Sequence, residues 1–307
     1  MTLKNELENL GIKVESIKKI NNDLYDLSDG YNNYILKLAE DNGVYEFLFA
    51  QGVKQVLYPL SVNGKNSVTI KNRKYYLFNY MNEIEYQPKK KIYDLADSLK
   101  EVHFSTMVQK KIKPQKVILR FKKMYEFLGE QFNKIDAFMR SYESKDYLTD
   151  TDFMILNRYH VLLDIKYYMG KMQYKILDHM EKELEVYLCL NHGNPDISHL
   201  INKRLISFNK SKFTIPVYDI ALFYINSANL NINHKKLIMD WLDKFDDKFY
   251  VYYFRFLVLY VYVFGINLSS FEVEHNILAT CNKIEDFIKM FLTPAENKNE
   301  NQQYQNQ

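Results

Sequence analysis

Residues 189–226 read CLNHGNPDISHLINKRLISFNKSKFTIPVYDIALFYIN, and how this stretch is parsed decides the fold. An apolar run, Val186 to Leu190, leads into a turn at His192-Gly193, and a polar loop follows. Two short apolar pieces come next, His199 to Ile201 and Leu205 to Phe208, after which Pro216 and Asp219 precede a new apolar run. Among the polar side chains of this stretch are His192, Asn194, Asp196, His199, Ser207 and Asp219.

In order and spacing the stretch resembles the kinases related to the aminoglycoside and choline phosphotransferases, whose layout is HGDxxxxN, a strand ending in I-D-F/W, then P-x-x-D-L/I-A. The resemblance implies a role at each matching position. His192 and Gly193 match the first two positions, where the His packs and hydrogen-bonds to hold the loop and the Gly permits a tight backbone. The third position, in the family an Asp that accepts the proton of the attacking hydroxyl, is Asn194. An amide has no basic lone pair at neutral pH, so it orients a hydroxyl without taking its proton. The family's metal-holding Asn is here His199, and imidazole is a poor ligand for a hard cation such as magnesium. The metal-binding Asp of I-D-F is replaced by Ser207, between Ile206 and Phe208. Asp219 matches the last Asp of P-x-x-D-I-A, whose implied role is to brace the catalytic loop. Phosphoryl transfer depends on positioning and on neutralisation of charge by metal. Each tenfold in rate is about 1.4 kcal/mol, so losing the base and a charged ligand together costs on the order of 5 kcal/mol.

The strings HGNPDISHLI, LISFNKSKF and IPVYDIALFY are moreover similar to the spore-coat kinase-like proteins (the CotS and YutH type), in which HG is often followed by a residue other than Asp and SHxL replaces the Asn segment. That resemblance implies a spore-coat or spore-assembly component made in the cytoplasm, acting through protein partners. It also implies an α+β, bilobal protein-kinase-like fold: a small antiparallel-sheet N-lobe over residues 1–81 and a large, mainly helical C-lobe over 82–293, with the degenerate catalytic loop at 191–209.

Upstream, the pattern agrees with such an N-lobe. A short amphipathic helix (Leu3, Leu7, Leu10) precedes the strand VESIKKI, then strands Leu24–Leu27 and Tyr34–Leu38 joined by a turn at Ser28-Asp29-Gly30. Lys37 sits where the family places its phosphate-pairing lysine, and Glu46, in the helix-like GVYEFLFAQGV, is its expected partner. No glycine lies between Gly11 and Gly30, so the Asn21-Asn22-Asp23 loop lacks the close backbone approach by which Gly-rich loops cradle phosphates. After an apolar segment, Val56 to Val62, the pair Ser67–Ile70 and Lys74–Tyr80 reads as a hairpin turning at Lys71-Asn72. YLFNYMNEIEYQP then resembles the hinge between lobes, where backbone near Asn79 and Met81 would meet an adenine.

From Pro88 the period becomes 3.6. Ile92, Leu95, Leu99 and Val102 share a face of an LAxxLxxxH helix whose His103 is expected to pack. Helices are expected over Gln115–Tyr142, Asp150–Val186 (capped by Thr149 or Asp150), 234–247, 249–265 and Ser270–Leu292, and the polar stretch 294–307 is expected to be disordered.

The 307 residues balance 41 basic against 38 acidic side chains, which points to no nucleic-acid partner. Cys189 and Cys281 lie inside apolar runs as small buried hydrophobes. The N-terminus lacks the apolar core of a signal peptide, and the most apolar window, Phe249–Leu268, contains Arg255 and several tyrosines, so it reads as a buried helix and not a membrane span. No zinc spacing or nucleophile elbow occurs, and no metal or cofactor is expected. Two other readings are an active phosphotransferase on a small hydroxylated substrate, using ATP and magnesium with Asp196 or His199 as displaced base, and an unrelated α+β binding module.

Overall fold

Alternating apolar residues before residue 80 and helical periodicity after it divide the elements of the chain, a computed structural model of which describes residues 2–39, 43–83, 87–111, 113–181 and 185–292. The tail 294–307 lies outside the described residues. In order the chain forms α1 (Leu3–Asn9), β1 (Ser16–Asn21), β2 (Leu24–Ser28), β3 (Asn33–Leu38), α2 (Val44–Ala50), β4 (Val68–Ile70), β5 (Arg73–Asn79) and α3 (Pro88–Thr106). There follow β6 (Val108–Lys111), α4 (Pro114–Glu143), α5 (Asp150–Glu181), β7 (Glu185–Asn191), β8 (Leu200–Ile201), β9 (Arg204–Leu205) and β10 (Lys212–Thr214). Helices α6 (Val217–Ser227), α7 (His234–Leu242), α8 (Lys248–Phe264) and α9 (Val273–Phe291) complete it.

Two compact units result. One comprises Met1–Val108, Leu188–Asp219 and Asn226–Ile232; the other comprises Gln109–Tyr187, Ile220–Ile225 and Asn233–Gln307. In the first unit α3 and the motif-bearing segment 188–219 group with the N-terminal sheet.

In the first unit, five antiparallel strands run in the order β1-β2-β3-β5-β4. The hairpin at Lys71-Asn72 is closed by two left-handed residues (φ 49° and 62°), with Ile70 opposite Arg73, the geometry that matches strand twist in a two-residue loop. Side chains alternate across a strand. Leu27, Leu36, Val68, Ile70, Tyr75 and Leu77 accordingly point to one face, where they form a core with Leu7 of α1. Ile35 and Lys37, which flank Leu36, must then point to the other face, opposite Phe78 and Tyr76 in register. That alternation is what aims Lys37 at the cavity described below. The apolar segment 56–62 forms no strand: it makes isolated bridges at Val56 and Val62, and the Leu60 N–H donates to the Leu77 carbonyl of β5 at 2.6 Å.

In the second unit α4 and α5 bury one side each, through Phe121, Leu128, Phe132, Ile135 and Met139 and through Ile155, Leu162, Ile165, Met169 and Ile176. Thr149 Oγ1 caps α5 by accepting from the Asp152 N–H at 3.2 Å. The expected continuation of this helix to Val186 is not what forms: α5 ends at Glu181 and Val186 belongs to β7. The apolar run through Leu190 instead pairs in the ladder with β10, Leu190 opposite Phe213 and Cys189 opposite Thr214. The window expected to be a buried helix is α8, with Phe254, Phe256, Val258, Leu259 and Val263 buried along it. Among the described residues no helix is long and apolar enough to cross a membrane. Both cysteines are free and buried, and burial pushes the Cys281 thiol up to about 11 and that of Cys189 well above its usual value.

Candidate functional site

The motif loop hangs from the end of β7. Gly193 has φ +80°, a conformation glycine adopts without penalty, and a Cβ there would lie 2.2 Å from the Lys210 carbonyl oxygen. The turn is fixed from α6. The fully buried Asp219 accepts from the His192 N–H at 2.5 Å and the Gly193 N–H at 2.8 Å, and its Oδ2 lies 3.1 Å from Nε2 of buried His103. His103, expected only to pack, is thus also hydrogen-bonded to the carboxylate. Asn191 adds a support that was not foreseen: its side-chain Nδ2 donates to the Thr214 carbonyl at 3.0 Å.

The His192 ring lies between loop and hairpin. Its Nε2 is 2.7 Å from the Ile206 carbonyl, which can only accept, so Nε2 carries the proton and Nδ1 keeps its lone pair. Burial holds the His192 pKa below its usual value, so the ring is neutral near pH 7. An edge-on contact with Phe208, centroids 4.8 Å apart, completes its packing.

Asn194 and His199 stand together. His199 Nδ1 is 2.7 Å from the Asn194 carbonyl oxygen and 3.4 Å from its side-chain Nδ2. The shorter contact makes Nδ1 a donor to the backbone and leaves the lone pair on Nε2. Asp196 caps the short turn Ile197–His199, accepting from the Ser198 N–H at 2.8 Å and the Ser198 hydroxyl at 2.6 Å. Those bonds, the hydroxyl's first, hold its carboxyl below the usual range.

After the β8–β9 hairpin, Ser207 turns left-handed, φ 68° and ψ 55°, and its Oγ accepts from Lys37 Nζ at 2.9 Å. This bond joins β3 to Ser207, the residue expected from the resemblance to stand in place of a metal-binding Asp. Glu46, expected opposite Lys37, is exposed on α2. Tyr45, one residue earlier, faces inward instead and packs edge-on against Phe208, Tyr76 and Phe78. Helical geometry separates neighbours by about 100°, so a one-residue difference in phase turns Glu46 outward.

Lys37 and Ser207 line a cavity of about 290 Å³ whose walls include Leu24, Ile35, Phe78 and Ile206. Asn79 and Met81 also line it, and beside them the Tyr80 N–H is engaged by the Asn33 carbonyl at 2.9 Å. At the β1–β2 turn the Asp23 N–H donates to Asn21 Oδ1 at 2.9 Å, so this backbone donor is occupied within its own loop. Among the described residues, the side chains at the positions expected for the base and the metal ligands are the carboxamide of Asn194, the imidazole of His199 and the hydroxyl of Ser207, which accepts from an ammonium. That set does not fit a phosphate-bridging divalent cation. Among the described residues no three His, Cys, Asp or Glu side chains gather in a way that could hold a metal.

The chain aligns with the aminoglycoside phosphotransferase of Alicyclobacillus acidocaldarius at a TM-score of 0.60 and 12% identity, over 94% of each chain. The fold is that of the aminoglycoside phosphotransferases. Spectinomycin phosphotransferase APH(9)-Ia is similar as well, in its AMP-bound complex with a TM-score of 0.53 and 13% identity over 94% of this chain and 98% of that one. Its complex with ADP and spectinomycin gives 0.50 and 12% over 95% and 97%. No protein-family profile and no curated protein matches the sequence. The aminoglycoside phosphotransferase fold bears out the expected α+β kinase-like class, with an antiparallel N-terminal sheet and a largely helical C-terminal region.

Proposed function

We propose that this chain is a catalytically degenerate member of the phosphotransferase fold that works by binding and not by turnover. One observation carries the reading: the ammonium of Lys37 is hydrogen-bonded to an uncharged hydroxyl, Ser207 Oγ, at 2.9 Å. Where the resemblance implies a carboxylate gripping a cation, this site has a neutral side chain, and the matching base position is the amide of Asn194. His192, Gly193 and Asp219 keep the loop in shape around these replacements. The similarity of HGNPDISHLI and IPVYDIALFY to spore-coat kinase-like proteins supports a role as a coat or coat-assembly component recognised by protein partners. The cavity lined by Lys37, Asn79 and Met81 is then a nucleotide-site remnant.

An active enzyme with a displaced base is the less favoured reading. Asp196 is committed to capping Ile197–His199 and is stabilised as the anion, which makes it a weak base. A thermal-shift titration of ATP with and without magnesium tests the proposal. A ligand that binds the native state and not the unfolded one raises Tm, by a stabilisation that grows as RT ln(1 + L/Kd), where L is the free ligand concentration. Magnesium is expected to add nothing to whatever shift ATP alone produces; a further rise of several degrees with magnesium would mean that a metal–phosphate site is intact.

A further inference from the structure

Residues 110–123, KKIKPQKVILRFKK, hold seven cationic side chains and no acidic one, leaving 34 cationic against 38 acidic side chains elsewhere. The small net charge of the chain therefore conceals one strongly basic segment on a net acidic background. The segment runs from the end of β6 into the first turns of α4. Lys110, Lys113, Arg120, Lys122 and Lys123 are all exposed, and none of the five has a hydrogen bond or ion pair with a described residue. Elsewhere in the second unit Lys145 and Lys166 are paired, with Asp152 at 2.7 Å and with Asp136 at 2.9 Å. Apolar side chains stand among the unpaired ones. Leu119 is 58% exposed and Phe127 55%; with Lys123 between them, at i, i+4 and i+8, they run along the outer side of α4, while Phe121 and Leu128 face the core.

The kind of anion follows from the side chains. Six of the seven cations are lysines, whose compact, hydrated ammonium suits a diffuse negative surface; fixed bidentate pairing with one carboxylate or phosphate is the strength of arginine. Single-stranded nucleic acid would call for rings interleaved with the charges for stacking, but the aromatic ring within the run, Phe121, is buried. An exposed leucine amid lysines fits the boundary between anionic headgroups and acyl chains. From this we infer that the β6–α4 segment docks the chain peripherally on an anionic lipid surface, with Lys110, Lys113, Lys122 and Lys123 on the headgroups and Leu119 at the acyl boundary. The docking surface lies wholly in the second unit and does not depend on the degenerate site.

Sedimentation of the full chain with phosphatidylcholine vesicles, with and without phosphatidylglycerol, tests this. Binding is expected only to the anionic vesicles and should fall steeply with salt. Each basic residue near such a surface contributes about fivefold to partitioning, so the combined change Lys110→Gln, Arg120→Gln, Lys122→Gln and Lys123→Gln should weaken it by several hundredfold. The same change at exposed Lys235 and Lys236 should weaken it far less. All four altered side chains are exposed, and the circular dichroism spectrum of the variant should match the parent. Equal sedimentation with neutral vesicles, undiminished binding by the four-site variant, or preference of the parent chain for polyglutamate or duplex DNA over anionic vesicles would overturn the assignment.

Discussion

Asp219→Asn is expected to abolish most of the amide-exchange protection of His192 and Gly193, with a loss of about 3 kcal/mol in local stability. The carboxylate is fully buried and receives two backbone N–H groups, at 2.5 and 2.8 Å, with a third partner in the His103 ring at 3.1 Å. Hydrogen bonds to an ionised acceptor contribute more than neutral ones, and a buried donor left without its acceptor bears the full desolvation penalty. Asparagine keeps the shape but supplies one acceptor oxygen and turns an NH₂ group toward a donor. Exchange at these two amides is the preferred readout because it reports this loop alone, whereas global unfolding of a two-unit chain need not be two-state. Protection unchanged within a factor of a few would show that the loop is held by something other than this carboxylate.

Gly193→Ala should be at least as damaging, at roughly 3 to 5 kcal/mol. A β-carbon would sit 2.2 Å from the Lys210 oxygen and 2.7 Å from its carbonyl carbon. Both are backbone atoms, so no side-chain rotation relieves the overlap. The left-handed φ of +80° adds about 1–2 kcal/mol for any residue with a β-carbon. The substitution must push the 208–210 segment away from the loop and stretch the Gly193–Asp219 bond. A urea midpoint indistinguishable from the parent would refute this picture of the turn.

The sheet was legible because alternation is a strict rule: with Leu36 in the core, Ile35 and Lys37 have to face the other way, and a left-handed pair at Lys71-Asn72 closes the hairpin. For the motif loop the roles of Gly193 and Asp219 came from the family resemblance and from no local pattern; the structure adds a φ of +80° at Gly193 and two backbone N–H groups donating to Asp219. Three features were not readable. The end of α5 at Glu181 was hidden because an apolar run such as Val186–Leu190 suits helix or strand until its ladder partner, β10, is known. The orientation of α2 depends on packing by Tyr45, and Glu46 consequently faces solvent. Finally, the Lys37–Ser207 bond joins residues 170 positions apart, and no local pattern announces such a contact. It is the observation from which the proposed function is argued.

Phosphate release from ATP by the purified chain in the presence of magnesium, compared with Asn194→Ala and Ser207→Ala variants, tests the central proposal most directly. The account predicts no rate above the protein-free background and no change in either variant. A magnesium-dependent rate that disappears when Asn194 or Ser207 is replaced would contradict it.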